Sequence, residues 1–328
     1  MNRIARQPEV TQRLTVKLSD GAEVSVRRWG PARGRRVVLS HGNGLAADGF
    51  QDFGRALMQD FEVVAFDLRS HGENASVPQA DMPWPRYIAD IPEIFDAIAE
   101  GFGPRETHGA FHSMSSACTL VAQTKTPRPW ASLTLFEPPI APATEPGLVA
   151  EFNIIQHGLA ERAAGRRRSF ETPEELARSF ARASTFAGIP PEAILQLARA
   201  TLRDTGAGWE LACRPEHEAS NFDTAGMLSG HWHDFARITV PVQVILGDVA
   251  VHDMPLLTRF GQEMAGQFGF RAVTCPGTNH FMQLQKPEFC ARQVAAFAQE
   301  AETARSREAA DTNRETRDES TRGSAIGI

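Results

Sequence analysis

A doubly wound α/β sheet interrupted by one helical insertion is the fold this sequence predicts. Three observations predict it. Short, nearly continuous apolar runs recur along the chain, as expected of parallel strands covered on both faces. Segments with helical spacing lie between these runs. One interval of about a hundred residues, between Phe136 and Val242, breaks the alternation.

The elements follow in order. Leu14–Leu18 and Glu23–Arg28 alternate apolar and polar residues across Asp20-Gly21, which is a hairpin signal. The apolar strand runs are Val37–Ser40, Val63–Phe66, Gly109–Phe111, Ser132–Phe136, Val242–Leu246 and Ala272–Cys275. Helical spacing marks Phe50–Met58, Tyr87–Ala99, Ser115–Gln123, Leu256–Phe268 and Glu288–Ala298. Inside the interruption, Pro173–Ala183 and Pro191–Leu202 open on proline with acids in the first turn, as helices do. No strong strand is visible there. The expected organisation is a core over 13–138, a helical lid over 139–238 and the rest of the core over 239–300. From residue 301 the chain turns to acids and arginines without an aromatic, which predicts a disordered tail with a frayed helical start.

Composition narrows the function. Of 328 residues, 42% are hydrophobic and 23% charged, enough for a sizeable core. The balance of 34 Lys+Arg against 40 Asp+Glu gives a net charge of −6, which argues against non-specific nucleic-acid binding. Cys118, Cys213, Cys275 and Cys290 lack metal-site or disulfide-framework spacing. No apolar run is long enough for a membrane span, and the first residues lack a signal-peptide pattern. A cytoplasmic setting is the expectation.

Three motifs carry chemistry. Ser40-His41-Gly42-Asn43-Gly44 follows a strand and precedes a helix, so its turn presents backbone N–H groups where α/β proteins place ligands. Gly109-Ala110-Phe111-His112-Ser113-Met114-Ser115-Ser116 runs from strand to helix through one serine with small neighbours, which suits a sharp nucleophile elbow. Taken alone, Ser113 also fits a helix N-cap, because Phe111 and Ser115 replace both glycines of the usual G-x-S-x-G. Pro276-Gly277-Thr278-Asn279-His280-Phe281 puts a histidine on a loop after the last strand, in reach of a general-base role or simply of solvent.

Together these motifs resemble the α/β-hydrolase superfamily. His41-Gly42-Asn43-Gly44 looks like its His-Gly oxyanion turn, the elbow is similar to His-Ser-Met-Gly-Gly, and the last loop to Gly-x-x-His. Phe66-Asp67-Leu68-Arg69-Ser70-His71-Gly72-Glu73-Asn74 looks like the Asp-x-Arg-Gly-His-Gly-x-Ser turn. The likeness covers roughly residues 13 to 298, the lid excepted. It implies a serine nucleophile at Ser113, a base at His280, and oxyanion donors on the backbone of Asn43 and Met114.

The acid is not where the family usually keeps it. That position, three residues after Gly247, is Ala250, and Asp248 and Asp253 are off register. A second arrangement in the superfamily places the acid after the preceding core strand. Here that residue is Glu137, 24 beyond Ser113. Fungal toxin-biosynthesis thioester hydrolases and, in layout only, haloalkane dehalogenases look like this. Dehalogenases need an aspartate followed by tryptophan where this chain has Ser113 and Met114. Glu137 could also merely tie down the lid hinge.

The reading that results is a serine hydrolase acting on a small-molecule carboxylic ester or thioester, with no cofactor and no metal. Carbon–carbon hydrolysis, a lyase reaction on the same site, and a non-catalytic ligand-binding role remain open. His231-Trp232-His233 lacks an evident third metal ligand. Arg166-Arg167-Arg168 could meet a phosphorylated substrate such as a coenzyme A thioester, or form a solvated helix face. Trp209 and Trp232 could line the acyl pocket or fill core. The acyl group and the oligomeric state are not legible.

Overall fold

A computed structural model describes residues 8–323 except 79, 81 and 82. The hairpin forms as β1 (Val10–Lys17) and β2 (Glu23–Trp29), paired antiparallel. Next come β3 (Arg36–Ser40), β4 (Glu62–Phe66), β5 (Thr107–His112) and β6 (Ser132–Phe136). The sheet is completed by β10 (Val242–Leu246) and β11 (Arg271–Thr274). Its order is β1-β2-β4-β3-β5-β6-β10-β11, parallel from β4 onward. Every residue of β3, β4, β5, β6 and β10 is buried, which is why these strands read as unbroken apolar runs.

Two apolar layers cover the sheet. On one face α2 (Trp84–Phe102), α3 (Met114–Lys125) and α8 (Pro255–Phe268) pack through Ile91, Ile94, Ala117, Val121 and Phe260. On the other, α1 (Gln51–Leu57) and α10 (Pro287–Gly323) pack through Phe53, Leu57, Cys290 and Val294. From β3 the chain moves to β4 on one side and later to β5 on the other. A crevice therefore opens beyond the carboxyl ends of β3 and β5, where open α/β sheets bind ligands. Those ends carry His41-Gly42-Asn43 and Ser113.

The insertion between β6 and β10 is not wholly helical. It contains α4 (Pro146–Ala164), α5 (Pro173–Phe180), α6 (Pro191–Ala200), α7 (Pro215–Asp223) and a 3₁₀ stretch, Ala225–Arg237. It also holds a three-stranded antiparallel sheet, ordered β7 (Ser169–Phe170), β9 (Trp209–Leu211), β8 (Leu202–Asp204). Strands of two or three residues show no period, so the sequence expectation of helices alone is corrected here. Phe170, Leu176, Phe180, Leu197 and Leu211 form its own apolar cluster, which also takes in Leu45, Phe50 and Phe281 of the core. Trp232 is buried and donates to Gln267 Oε1 at 2.7 Å, so it fills core. The short α9 (Met282–Gln285) follows the His280 loop.

The segment from residue 301 is also corrected as far as it is described. α10 continues through it to Gly323, and 324–328 lie outside the described residues. Ala301 is buried, Glu302 pairs with Arg35 at 2.9 Å, and Arg305 donates to Ala131 O at 2.6 Å. Composition registers apolar burial but neither these polar anchors nor the high helix propensity of Ala, Glu and Arg.

A buried ion pair sets the turn beside the crevice. Arg27 and Asp67 are both inaccessible to solvent and meet at 2.9 Å. Asp67 also accepts the N–H groups of Ala47 at 2.8 Å and Glu73 at 3.2 Å. Removing the cation would leave a buried charge uncompensated. Arg27→Met is therefore expected to cost about 3–5 kcal/mol of stability, read as a lower denaturation midpoint in urea. A midpoint within error of wild type would show that the backbone donors alone hold Asp67.

Candidate active site

The elbow at the end of β5 is strained. Ser113 has φ 52° and ψ −114°, a region that side chains avoid and that costs about 1–3 kcal/mol. It is held there by neighbours: its N–H donates to Phe136 O at 2.9 Å, and the Ser115 N–H to His41 O at 3.3 Å. The Ser113 hydroxyl does not cap the helix that it precedes, so the cap reading fails. Small neighbours are needed. A side chain at Gly42 would come within 3.0 Å of Ser113 Cβ and 3.3 Å of its Oγ.

Two histidines fix the facing turn. The Nδ1–H of His41 donates to Gly42 O at 2.7 Å, and its Nε2 accepts the Leu68 N–H at 3.1 Å. His71 Nε2 accepts the Gly44 N–H at 3.0 Å, and its Nδ1–H donates to Arg69 O at 2.9 Å. Burial lowers the pKa of both, that of His71 to about 3, so each stays neutral and can accept. Arg69 in turn grips Asp90 through two bonds of 2.7 Å. The backbone N–H groups of Asn43 and Met114 have no partner among the described residues.

Glu137 occupies the turn after β6 with φ 45° and is fully buried. Its Oε2 accepts the His280 Nδ1–H at 2.7 Å. Three more donors converge on the same carboxylate: the Gly247 N–H at 2.7 Å, His252 Nε2 at 2.9 Å and Thr258 Oγ1 at 3.2 Å. Burial pushes the Glu137 pKa up. The hydrogen bonds and charges of His252 and His280 outweigh it and hold the carboxyl at about 2. Asp248 accepts the N–H groups of Ala250 and Gly277 instead, and Asp253 accepts the Thr185 hydroxyl. Neither is bonded to His280.

Ser113, Asn43, Met114 and His280 line one cavity of about 830 Å³, and Glu137 lies behind His280. Among the described residues no hydrogen bond joins Ser113 Oγ to the His280 ring. Such contacts often tighten only when substrate binds. His112 braces His280: its Nε2–H donates to His280 O at 3.0 Å and its ring lies 4.6 Å from the His280 ring.

Sequence reasoning missed His252. Its Nδ1 accepts the Met254 N–H at 2.9 Å, which puts the proton on Nε2, toward Glu137. It stands two residues past Ala250, so only a pattern for a histidine near the vacated acid position would have found it. Glu137, His252 and His280 bring ligand atoms within 4.8 Å of one another, but those atoms are already hydrogen-bonded together. A second such group, Glu106, His108 and Glu302, lies near the start of β5, where Arg305 and Arg35 pair with the two carboxylates. His231 contacts Asp234, and neither His231 nor His233 belongs to a ligand cluster among the described residues.

Comparison with known proteins agrees with this architecture. A non-heme chloroperoxidase of Streptomyces lividans is 33% identical over 85 residues, 26% of this chain and 30% of that protein's length. The chain thus matches under a third of that curated relative. Among solved structures, E-2-(acetamidomethylene)succinate hydrolase superposes with a TM-score of 0.69 at 19% identity, covering 87% of this chain and 98% of that one. The thioesterase domain of the curacin biosynthetic pathway gives 0.67 at 16% identity, covering 87% and 99%. An esterase from Thermogutta terrifontis gives 0.64 at 19%, covering 89% and 99%. The sequence model of the Alpha/beta hydrolase family matches residues 37–293, and the chain belongs to that family.

Proposed function

We propose that the protein hydrolyses a carboxylic ester or thioester through an acyl-enzyme on Ser113. The observation that carries this reading is the buried 2.7 Å bond from His280 to Glu137 beside the cavity that holds Ser113. With Nδ1–H committed to Glu137, Nε2 is free to take the serine proton as Oγ attacks the carbonyl carbon. The ionised carboxylate stabilises the imidazolium that forms. Charge developing on the carbonyl oxygen falls to the Asn43 and Met114 N–H groups, each such donor being worth about 3 kcal/mol of barrier. The tetrahedral adduct then expels the leaving group, which takes the proton from His280. Water deacylates the serine by the same steps.

The neighbouring esterase and thioesterase folds, and the chain's family, support hydrolysis. Four buried free cysteines support the reading of a reducing, cytoplasmic setting. Among the described residues no helix is long and apolar enough to cross a membrane.

Rapid mixing with a neutral aryl ester and with its thioester tests the proposal. An initial burst approaching one product per chain is expected from the faster-acylating substrate, followed by release of the carboxylic acid. Absence of both burst and acid release across a panel of neutral and anionic acyl groups would refute it.

A further inference from the structure

We propose that the substrate is anionic, carrying a carboxylate or phosphate group, and that arginines of the insertion recognise it. This deepens the hydrolase reading and rests on it. Five arginines line the cavity: Arg162 in the last turn of α4, Arg166 and Arg167 just after it, Arg178 in the last turn of α5, and Arg182 beyond it. Among the described residues only two carboxylates line it, Glu175 and Glu218. The whole chain carries a net charge of −6, so this concentration of cations runs against its overall balance.

The two acids do not neutralise the five cations. Arg167 pairs with Glu175 and lies 4.3 Å over the Phe170 ring. Arg166 Nη1 pairs with Glu218, while its Nη2 is buried without a hydrogen-bond partner among the described residues. Among the described residues Arg162, Arg178 and Arg182 make no ion pair within 4.0 Å and no side-chain hydrogen bond, although the charge of Arg178 is felt by Glu175, which Arg167 already engages. A buried guanidinium donor left unmade is costly, and an oxyanion would satisfy it. Arginine stays charged at every working pH, so the preference needs no titration.

Position links these arginines to the chemistry. Glu218 lies against the proposed oxyanion turn, since a side chain at Gly44 would come within 2.7 Å of its carboxylate. Arg166 is therefore paired with an acid that lies against Gly44, the residue after Asn43. The remaining lining includes Leu45, Trp84, Met254, Leu257 and Phe281, which are apolar. An apolar body with one anionic end suits such a cavity, whose volume is that of a small-molecule site.

The anion has two possible sources, the acyl chain or the leaving group, and matched substrates separate them. For the first, the 4-nitrophenyl half-ester of glutaric acid is compared with 4-nitrophenyl butyrate. For the second, butyryl-coenzyme A is compared with the butyryl thioester of N-acetylcysteamine. In one of the pairs the anionic member is expected to have at least tenfold higher kcat/KM. That ratio should fall at least fivefold in the combined variant Arg162→Gln/Arg178→Gln/Arg182→Gln, which keeps the Arg166–Glu218 pair intact. Arg166→Gln should lower it as well. Calorimetric binding of the same pairs to Ser113→Ala reads the preference without turnover. Equal binding and equal turnover within both pairs would overturn the inference, as would a ratio unchanged in the combined variant. Anion-selective binding to Ser113→Ala, with no hydrolysis by the wild type, would instead overturn the hydrolase reading alone.

Discussion

Ser113→Ala is expected to abolish covalent labelling by a fluorophosphonate and to lower kcat/KM by at least about a thousandfold. Alanine lacks the oxygen proposed to attack, so only catalysis by the proposed backbone donors and by binding would survive. The fold should be intact, because that hydroxyl caps nothing and a methyl group replaces it in place. Mass spectrometry of the labelled protein checks the first expectation and circular dichroism the second. The adjacent serines are poor substitutes. Ser115 Oγ donates to His112 O at 3.0 Å and accepts the His112 N–H at 3.1 Å, while Ser116 Oγ donates to Ser113 O at 2.5 Å. Full labelling of the alanine variant would place the nucleophile on one of them and sink the assignment.

Glu137→Gln is expected to lower turnover by about four orders of magnitude. Four donors converge on the native carboxylate, and a glutamine turns one of its two acceptors into an NH₂ group. The variant would both misorient His280 and remove the charge proposed to stabilise its imidazolium. Asp248→Asn and Asp253→Asn should stay within a few fold of wild type, since neither acid is bonded to His280. Steady-state kinetics of the three variants decides the matter. A near-normal Glu137→Gln beside a dead Asp253→Asn would reverse it. A stability corollary has a definite sign. The folded pKa of about 2 lies below the ordinary 4.5, so Glu137 contributes stability above pH 4.5 that is lost as the pH falls toward 2. The glutamine variant should lose that part of the acid-side dependence.

Central strands were legible because burial on both faces leaves an unbroken apolar run, and β6 and β10 fall on the residues that the run marks. The outer strand β11 is mostly exposed and shifted by one residue from its expected span. The small sheet of the insertion was illegible for a different reason. Its strands are two or three residues long and depend on backbone pairing across distant segments such as Ser169–Phe170 and Trp209–Leu211. The elbow, the histidine loop and the glutamate were legible as local motifs. The partners that orient them were not: His252, Thr258 and Gly247 reach Glu137 from more than a hundred residues away in sequence. Likewise, the run Arg166-Arg167-Arg168 does not reveal that two of its members line a cavity and one does not.

Asn43 ties the insertion to the chemistry. Its side-chain amide donates to Glu218 O at 2.9 Å, and its Oδ1 accepts from Asn221 Nδ2 at 2.9 Å, both residues belonging to α7. Asn221 also bonds the Tyr87 hydroxyl and accepts from Trp84 Nε1 on α2. A proposed oxyanion donor and the wall of the cavity are thus one mechanical unit. A ligand that seats α7 well would also align that proposed donor for the transition state, and one that seats it badly would misalign it. Discrimination among acyl compounds would then be expressed in kcat as much as in KM, the signature of binding energy spent on the reacting geometry rather than on holding the substrate.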